Sequence, residues 1–174
     1  MTTPTHNFLG IPIDGQINRS KDRKEQRPLS ELEPLLRAVI DDPTIVEFGW
    51  RQYTPYFNDG DACEFGVCEP WFRTTSDNPP AADDDWDAED DTYELEFSTH
   101  PTLGERPGTY NRTTRSYEYS AYVGPDEARY DRVRDLSIAI QSGHFDDVLL
   151  DAFGDHCHVR VRRSGITLTE YSHD

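Results

Sequence analysis

The chain contains few lysines, cysteines and methionines, and it lacks the long apolar segments of membrane and exported proteins. Its 174 residues include two lysines, three cysteines and one methionine. No apolar run reaches the roughly 18 to 20 residues of a transmembrane helix, so we expect no membrane span. The first residues also lack the basic and apolar regions of a signal peptide. Three cysteines in such a chain indicate reduced thiols and a cytoplasmic location.

Acidic residues outnumber basic residues by 34 to 17, and the excess is greatest in one segment. The formal net charge is −17, and residues 77–96 hold ten acidic and no basic residues. A surface of this sign repels nucleic acid and anionic lipid, so we expect neither as a partner. A protein partner is expected instead. One alternative is a DNA-mimic inhibitor, in which acids spaced like phosphates occupy a basic groove.

The motifs of common enzymes are missing too. The sequence contains no G-x-S-x-G, no phosphate-binding glycine loop and no H-E-x-x-H. His100 and Thr102 form a single His-x-Thr, whereas a two-histidine phosphoesterase needs two copies. These absences favour a protein without catalytic activity and predict no cofactor.

Hydrophobic periodicity predicts a single α+β domain, in which a mostly antiparallel sheet of hairpins packs against about three helices. Residues 1–28 are interpreted as an extended N-terminal arm, and residues 29–174 as the domain, with an acidic loop at 73–91. Ser30 and Glu33 have the spacing of a capping box for the first helix. Helices are predicted over 28–43, 124–143 and 145–154, and strands over 45–57, 62–72, 92–97, 110–123 and on both sides of Ser164-Gly165.

The dipeptide Asp59-Gly60 is the clearest hairpin signal, because a type I′ turn needs positive φ at both central residues. Strand pairing outward from this turn places Gln52 opposite Val67 and Trp50 opposite Glu69. The register is self-consistent, since one face of the paired strands is largely apolar.

The same register assigns the remaining residues of the hairpin to two faces. Tyr56 and Cys63 are predicted to face the core, and Cys68, five residues further along the strand, the opposite side. The two thiols are therefore not expected to share a metal ion. A binding surface is predicted on the side away from the core and at the tip. Its residues are Arg51, Tyr53, Phe57, Asp59, Asp61 and Glu64.

A metal-assisted hydrolase or nuclease is a second alternative. His156 and His158 share one face of a predicted strand, while Cys157 alternates in phase with two valines and is expected to be buried. Two histidines on a strand need carboxylates from elsewhere to complete a site. The candidate ligands are Asp59, Asp61, His156 and His158, although the preferred interpretation has no bound metal.

Three blocks of the sequence resemble small uncharacterised proteins of bacteria and phages. The blocks are QRPLSELEPLLRAVIDD, FGWRQYTPYFNDGDACEFGV and DAFGDHCHVRVRRSGITLTEYSHD, and they include a W-x-Q-Y-T-P-Y-F-N-D-G-D hairpin and a C-terminal F-G-D-H…E-Y-x-H-D block. The resemblance implies no activity. It implies that the hairpin and the ending EYSHD belong to one shared structural unit. It also implies that a phage- or defence-related role is worth testing. The ending either frays in solvent or folds back near the hairpin.

These patterns together favour a small, acidic, non-enzymatic protein-interaction or regulatory module. Exposed aromatic residues beside an arginine are typical of binding anchors. In this interpretation Tyr53 and Asp59 contribute to binding, whereas the acidic loop does not.

Overall fold

The apolar segment that begins at Ile45 becomes the central strand of the main sheet in the computed structural model. The structure describes residues 7–8, 11–12, 23–57, 59–60, 62–78 and 95–171. Strand β3 (Ile45–Tyr53) pairs antiparallel with β4 (Gly66–Val67) and β5 (Trp71–Thr74), and also with β8 (Cys157–Arg162). Strand β8 pairs in turn with β9 (Gly165–Glu170). The predicted α+β domain with a mostly antiparallel sheet of hairpins is confirmed.

Three helices pack together with one face of this sheet. They are α1 (Leu29–Ile40), α2 (Glu127–Gln141) and α3 (Asp146–Phe153), at the places where apolar residues recur with helical spacing. Burial of each large apolar side chain contributes about 2 kcal/mol, so the helix–sheet interface holds the domain together. Buried residues of this core include Leu32, Val39, Phe48, Trp50, Phe72, Val133, Leu136, Ile140, Leu149 and Val159.

The fully buried amide of Gln52 ties the central strand to helix α3. Its oxygen accepts a hydrogen bond from the Trp50 indole at 2.9 Å. Its nitrogen donates to the carbonyl oxygens of Leu149 at 3.2 Å and Gly154 at 2.5 Å. These bonds connect the buried side chain to the carboxyl end of α3, and the bond to Gly154 satisfies a carbonyl just beyond the last helical residue.

The first helix begins differently from its prediction. Helix α1 starts at Leu29, with Pro28 as its N-cap and no side-chain cap hydrogen bond, so Ser30 lies inside the first turn and the capping box is wrong. The fixed φ of proline suits a helix start without a polar cap. Helix α2, in contrast, has the Asp126 carboxylate as a cap, which accepts a hydrogen bond from the Arg129 backbone N–H at 2.9 Å.

The predicted register of the first hairpin is correct near its middle and wrong at its end. Gln52 lies opposite Val67, as predicted. Beyond that pair the register shifts by one residue, because Gly49 lies opposite Trp71 and Trp50 therefore does not face Glu69. Pro70 has no N–H for the ladder, which explains why the pairing breaks there. The Trp71 ring fills the space over Gly49, where a Cβ would come within 2.8 Å of it.

The segment predicted as one strand over 110–123 is a separate hairpin. Strands β6 (Gly108–Asn111) and β7 (Ser116–Tyr119) pair antiparallel. The Asn111 side chain accepts hydrogen bonds from the backbone N–H groups of Thr113 and Thr114, at 2.9 and 3.2 Å, and so stabilises the turn.

The acidic segment and the N-terminal arm lie largely outside the described residues. Of the strand predicted over 92–97, only the last three residues are described, and Glu96 forms a single bridge with Trp71. Within the predicted arm, β1 (Asn7–Phe8) and β2 (Ile11–Pro12) form a short antiparallel pair. No helix in the described part of the chain has the length and apolar character needed to cross a membrane.

Candidate functional site

The face of the main sheet opposite the helices carries arginine, histidine and aromatic side chains. Strand β8 alternates between buried and half-buried positions, so Cys157 is buried as predicted, while His158 and its alternate neighbours point the other way. We call this side the outer face. Its residues are Glu47, Gly49, Arg51 and Tyr53 of β3, Trp71 and Arg73 of β5, and His158, Arg160 and Arg162 of β8, with His156 and Tyr171 beyond the strand ends.

Five rings form an aromatic cluster at one end of the outer face: Tyr53, Tyr56, His156, His158 and Tyr171. The rings of Tyr56 and His156 stack with centroids 4.6 Å apart. The centroid of the Tyr171 ring lies 5.3 Å from that of Tyr53 and 5.0 Å from that of His158, which it meets edge-on. The Arg51 guanidinium lies 5.6 Å from the Tyr171 ring centre. The end of the chain therefore folds back onto the first hairpin as far as Tyr171, and residues 172–174 lie outside the described part.

Asp155 holds the first hairpin against the start of β8. Its carboxylate accepts hydrogen bonds from the backbone N–H groups of Thr54 and His156, both at 2.8 Å. Burial raises the pKa of Asp155, but these hydrogen bonds outweigh burial and keep the pKa below its ordinary value. His156 has a φ of 52°, a left-handed conformation that aims its ring at Tyr56. The aromatic cluster is thus fixed by the backbone as well as by its own contacts.

A buried glutamate occupies the other end of the outer face. The Glu47 side chain is 1% exposed, and its carboxylate accepts hydrogen bonds from Arg73 at 3.1 Å and Arg162 at 2.7 Å. Arg160 lies 4.0 Å away. An ionised carboxylate is buried only when it is paired in this way. Glu47 has no local sequence signal for this site, because its arginine partners come from two other strands.

The predicted binding residues do not all come together. Arg51 and Tyr53 lie on the outer face, and Phe57 is 78% exposed just beyond the end of β3. Asp59 is exposed in the turn, with a φ of 32°, and Asp61 lies outside the described residues. Glu64 instead lines a separate cleft of about 510 Å³, with Arg23, Lys24 and Asp146 among its other walls.

Tyr56 and Cys63 were predicted to face the core, and this is wrong. Tyr56 is 71% exposed and Cys63 is exposed. The strands end at Tyr53 and begin again at Gly66, so alternation does not continue to the turn. Pro55 is the signal that indicates this end, because proline cannot donate to a strand ladder.

The candidate metal ligands are spread over two places. His156 and His158 belong to the aromatic cluster, whereas Asp59 lies in the turn. Among the residues that the structure describes, no group of three or more His, Cys, Asp or Glu side chains is placed to hold a metal ion. The DNA-mimic alternative depends mainly on residues 79–94, which lie outside the described part.

His100 of the single His-x-Thr belongs to a buried hydrogen-bond network. Its Nε2–H donates to the Phe72 carbonyl at 2.7 Å, and Nδ1 accepts from the Thr102 backbone N–H at 3.2 Å. Asp77 lies 3.6 Å from Nε2 and accepts hydrogen bonds from the hydroxyl groups of Thr74 and Thr102. Burial lowers the pKa of His100, so the ring is held neutral in a structural role.

Comparison with known proteins adds no function to this geometry. No protein-family model, no curated protein and no solved structure matches the chain. The resemblance of three sequence blocks to bacterial and phage proteins therefore stays a prediction, and function has to be argued from the outer face.

Proposed function

We propose that this protein is a non-enzymatic protein-interaction or regulatory module that binds a protein partner through the aromatic end of its outer face. The observation that carries the proposal is the exposure of two adjacent aromatic side chains, Tyr56 at 71% and Phe57 at 78%. Burial of each against a partner supplies about 1.5 to 3 kcal/mol. Tyrosine and arginine are also the residues enriched at the energetic centres of interfaces, and the Arg51 guanidinium lies over the Tyr171 ring of the aromatic cluster.

The fixed geometry of the cluster supports the same proposal. Tyr56 is held by its stack on His156, and the backbone at Thr54 is held by Asp155. A side chain that is already ordered loses less conformational entropy on binding, which leaves more of the contact energy as affinity. The partner surface would have apolar pockets for the rings of Tyr56 and Phe57, and a carboxylate that pairs with Arg51. The phage or defence part of the proposal rests on the sequence resemblance alone.

The proposal is tested by affinity capture from a lysate of the source organism. The site variant is the double substitution Tyr56→Ser with Phe57→Ser. The matched control is Tyr117→Ser with Tyr119→Ser, because these tyrosines of β7 are 61% and 69% exposed. We expect a protein that the wild type and the control both retain and the site variant loses. Equal capture by the three proteins would refute the proposed surface.

A further inference from the structure

A second surface lies in the helix layer, between helices α1 and α3. It is an open groove of about 900 Å³, which we call the helix groove. Its lining is mainly apolar and includes Leu29, Leu36, Val148, Leu150, Ala152 and Phe153. None of these residues belongs to the outer face, so the groove is independent of the surface proposed above for Tyr56 and Phe57.

Two leucines in the helix groove are left in contact with water. Leu29 is 52% exposed at the start of α1, and Leu150 is 37% exposed in α3. A single exposed leucine is ordinary, but these two line one concave apolar groove. Helix α1 has 12 residues and is therefore about 18 Å long, enough to contact two to three turns of another helix.

The charged residues at the groove select the kind of helix that fits. Asp147 and Asp151 both line it, four residues apart on α3. Asp147 pairs with Arg23, whereas Asp151 makes no ion pair with any residue in the described part of the chain. The whole chain also has a formal charge of −17, which attracts a basic partner and repels an acidic one.

We infer that the helix groove binds a basic amphipathic helix of a partner protein. Apolar side chains at positions i, i+3 or i+4, and i+7 would occupy the groove between Leu29 and Leu150. Lysine or arginine on the flank of the same helix would pair with Asp151. This is the helix-in-groove mode of recognition, with charge complementarity to set the orientation.

The test uses a synthetic helical peptide of leucine and lysine, with leucines on one face, and a twin in which glutamate replaces every lysine. Calorimetry gives the affinity, and amide chemical-shift changes in the full-length protein show where the peptide binds. We expect the lysine peptide to bind, the glutamate twin not to bind, and the shifts to fall on α1 and α3. Raising the salt concentration should weaken the binding, because the ion pairs are exposed.

Three variants locate the binding energy. Leu29→Ser with Leu150→Ser should lower the affinity about tenfold or more, which is the loss of roughly 1.4 kcal/mol. Asp151→Asn should lower it about threefold and reduce its salt dependence. The control Ile138→Ser changes a side chain that is 60% exposed on α2 and does not line the groove, so its affinity should equal that of the wild type.

The inference is overturned if the glutamate twin binds equally well, or if the shifts fall away from α1 and α3. It is also overturned if the double leucine variant binds like the wild type. Circular dichroism checks that this variant is folded, and if it is not, the wild-type shifts together with Asp151→Asn decide the question. The variant Tyr56→Ser with Phe57→Ser should still bind the peptide, so this inference and the proposed function fail separately.

Discussion

The ring of Tyr56 lies nearly parallel to the ring of His156, with centroids 4.6 Å apart and planes 14° apart. The two residues are a hundred positions apart in the sequence, and Asp155 brings their segments together. Tyr56 is nevertheless 71% exposed, so one face of its ring is supported and the rest is open to solvent. An aromatic ring that is held on one side and exposed on the other is suited to binding by a partner protein. Such binding requires no chemical reaction at His156.

The buried carboxylate of Glu47 yields the first prediction. Glu47→Gln keeps the shape of the side chain but removes the charge that Arg73 and Arg162 share. Loss of one partner from a buried ion pair costs roughly 3 to 5 kcal/mol, so we expect a decrease of about 3 kcal/mol in the free energy of unfolding. Urea denaturation at pH 7 measures it. Glu105→Gln, at an exposed position, is the control and should leave stability unchanged. Equal stabilities of the two variants would show that the ion pairs of Glu47 with Arg73 and Arg162 do not stabilise the fold.

Much of the fold was predictable because its signals are local. The apolar stripes of α2 and α3 and the alternation of β8 follow from neighbouring residues, and each element appears where its pattern predicts it. The register of Gln52 and Val67 followed from Asp59-Gly60 alone. Local patterns misled where one side chain redirects the backbone, as Asn111 does when it turns a predicted strand into a hairpin.

The candidate site was less predictable, because it is assembled from distant segments. The residues Arg51 and Tyr53 were identified from the hairpin, but their contacts with Tyr171 depend on how β3, β8 and β9 align. The pairing of Glu47 with arginines of two other strands has no local signal at all. The outward position of Tyr56 does have a local signal, which is Pro55, because a proline marks the end of the strand ladder.

The buried His100 predicts a pH dependence of stability. Burial lowers the pKa of His100 below its ordinary value of 6.5, so the unfolded chain takes up a proton first on acidification. The full contribution to stability is therefore present above about pH 6.5 and is lost as the pH falls toward the folded-state pKa, with a slope of at most about 1.4 kcal/mol per pH unit.

Urea denaturation between pH 8 and 5 measures this slope for the wild type and for His100→Gln. The variant should be less stable at pH 8, because it loses the hydrogen bonds to Phe72 and Thr102, but its stability should depend less on pH. Burial raises the pKa of Asp77, and hydrogen bonds from Thr74 and Thr102 outweigh that effect, so Asp77 stays ionised throughout this range. Identical pH slopes for the two proteins would contradict the prediction.

The three thiols should react at different rates. Cys63 is exposed, Cys68 is half-buried and Cys157 is buried. Burial also raises the pKa of Cys68 and of Cys157, which lowers their fraction of reactive thiolate. A chromogenic disulfide reagent at pH 8 should therefore modify one thiol rapidly, and Cys63→Ser should abolish that rapid phase. If Cys68→Ser abolishes the rapid phase instead, Cys68 is the most reactive thiol and the prediction is contradicted.

The central claim is that Tyr56 anchors a protein partner, and the dissociation constant of the captured partner tests it most directly. Calorimetry compares the wild type with Tyr56→Ser and with the control Tyr119→Ser, since both tyrosines are largely exposed and neither change should alter stability. We predict that Tyr56→Ser raises the dissociation constant about 30-fold, equivalent to roughly 2 kcal/mol, while the control leaves it unchanged. Equal dissociation constants for the three proteins would contradict the account.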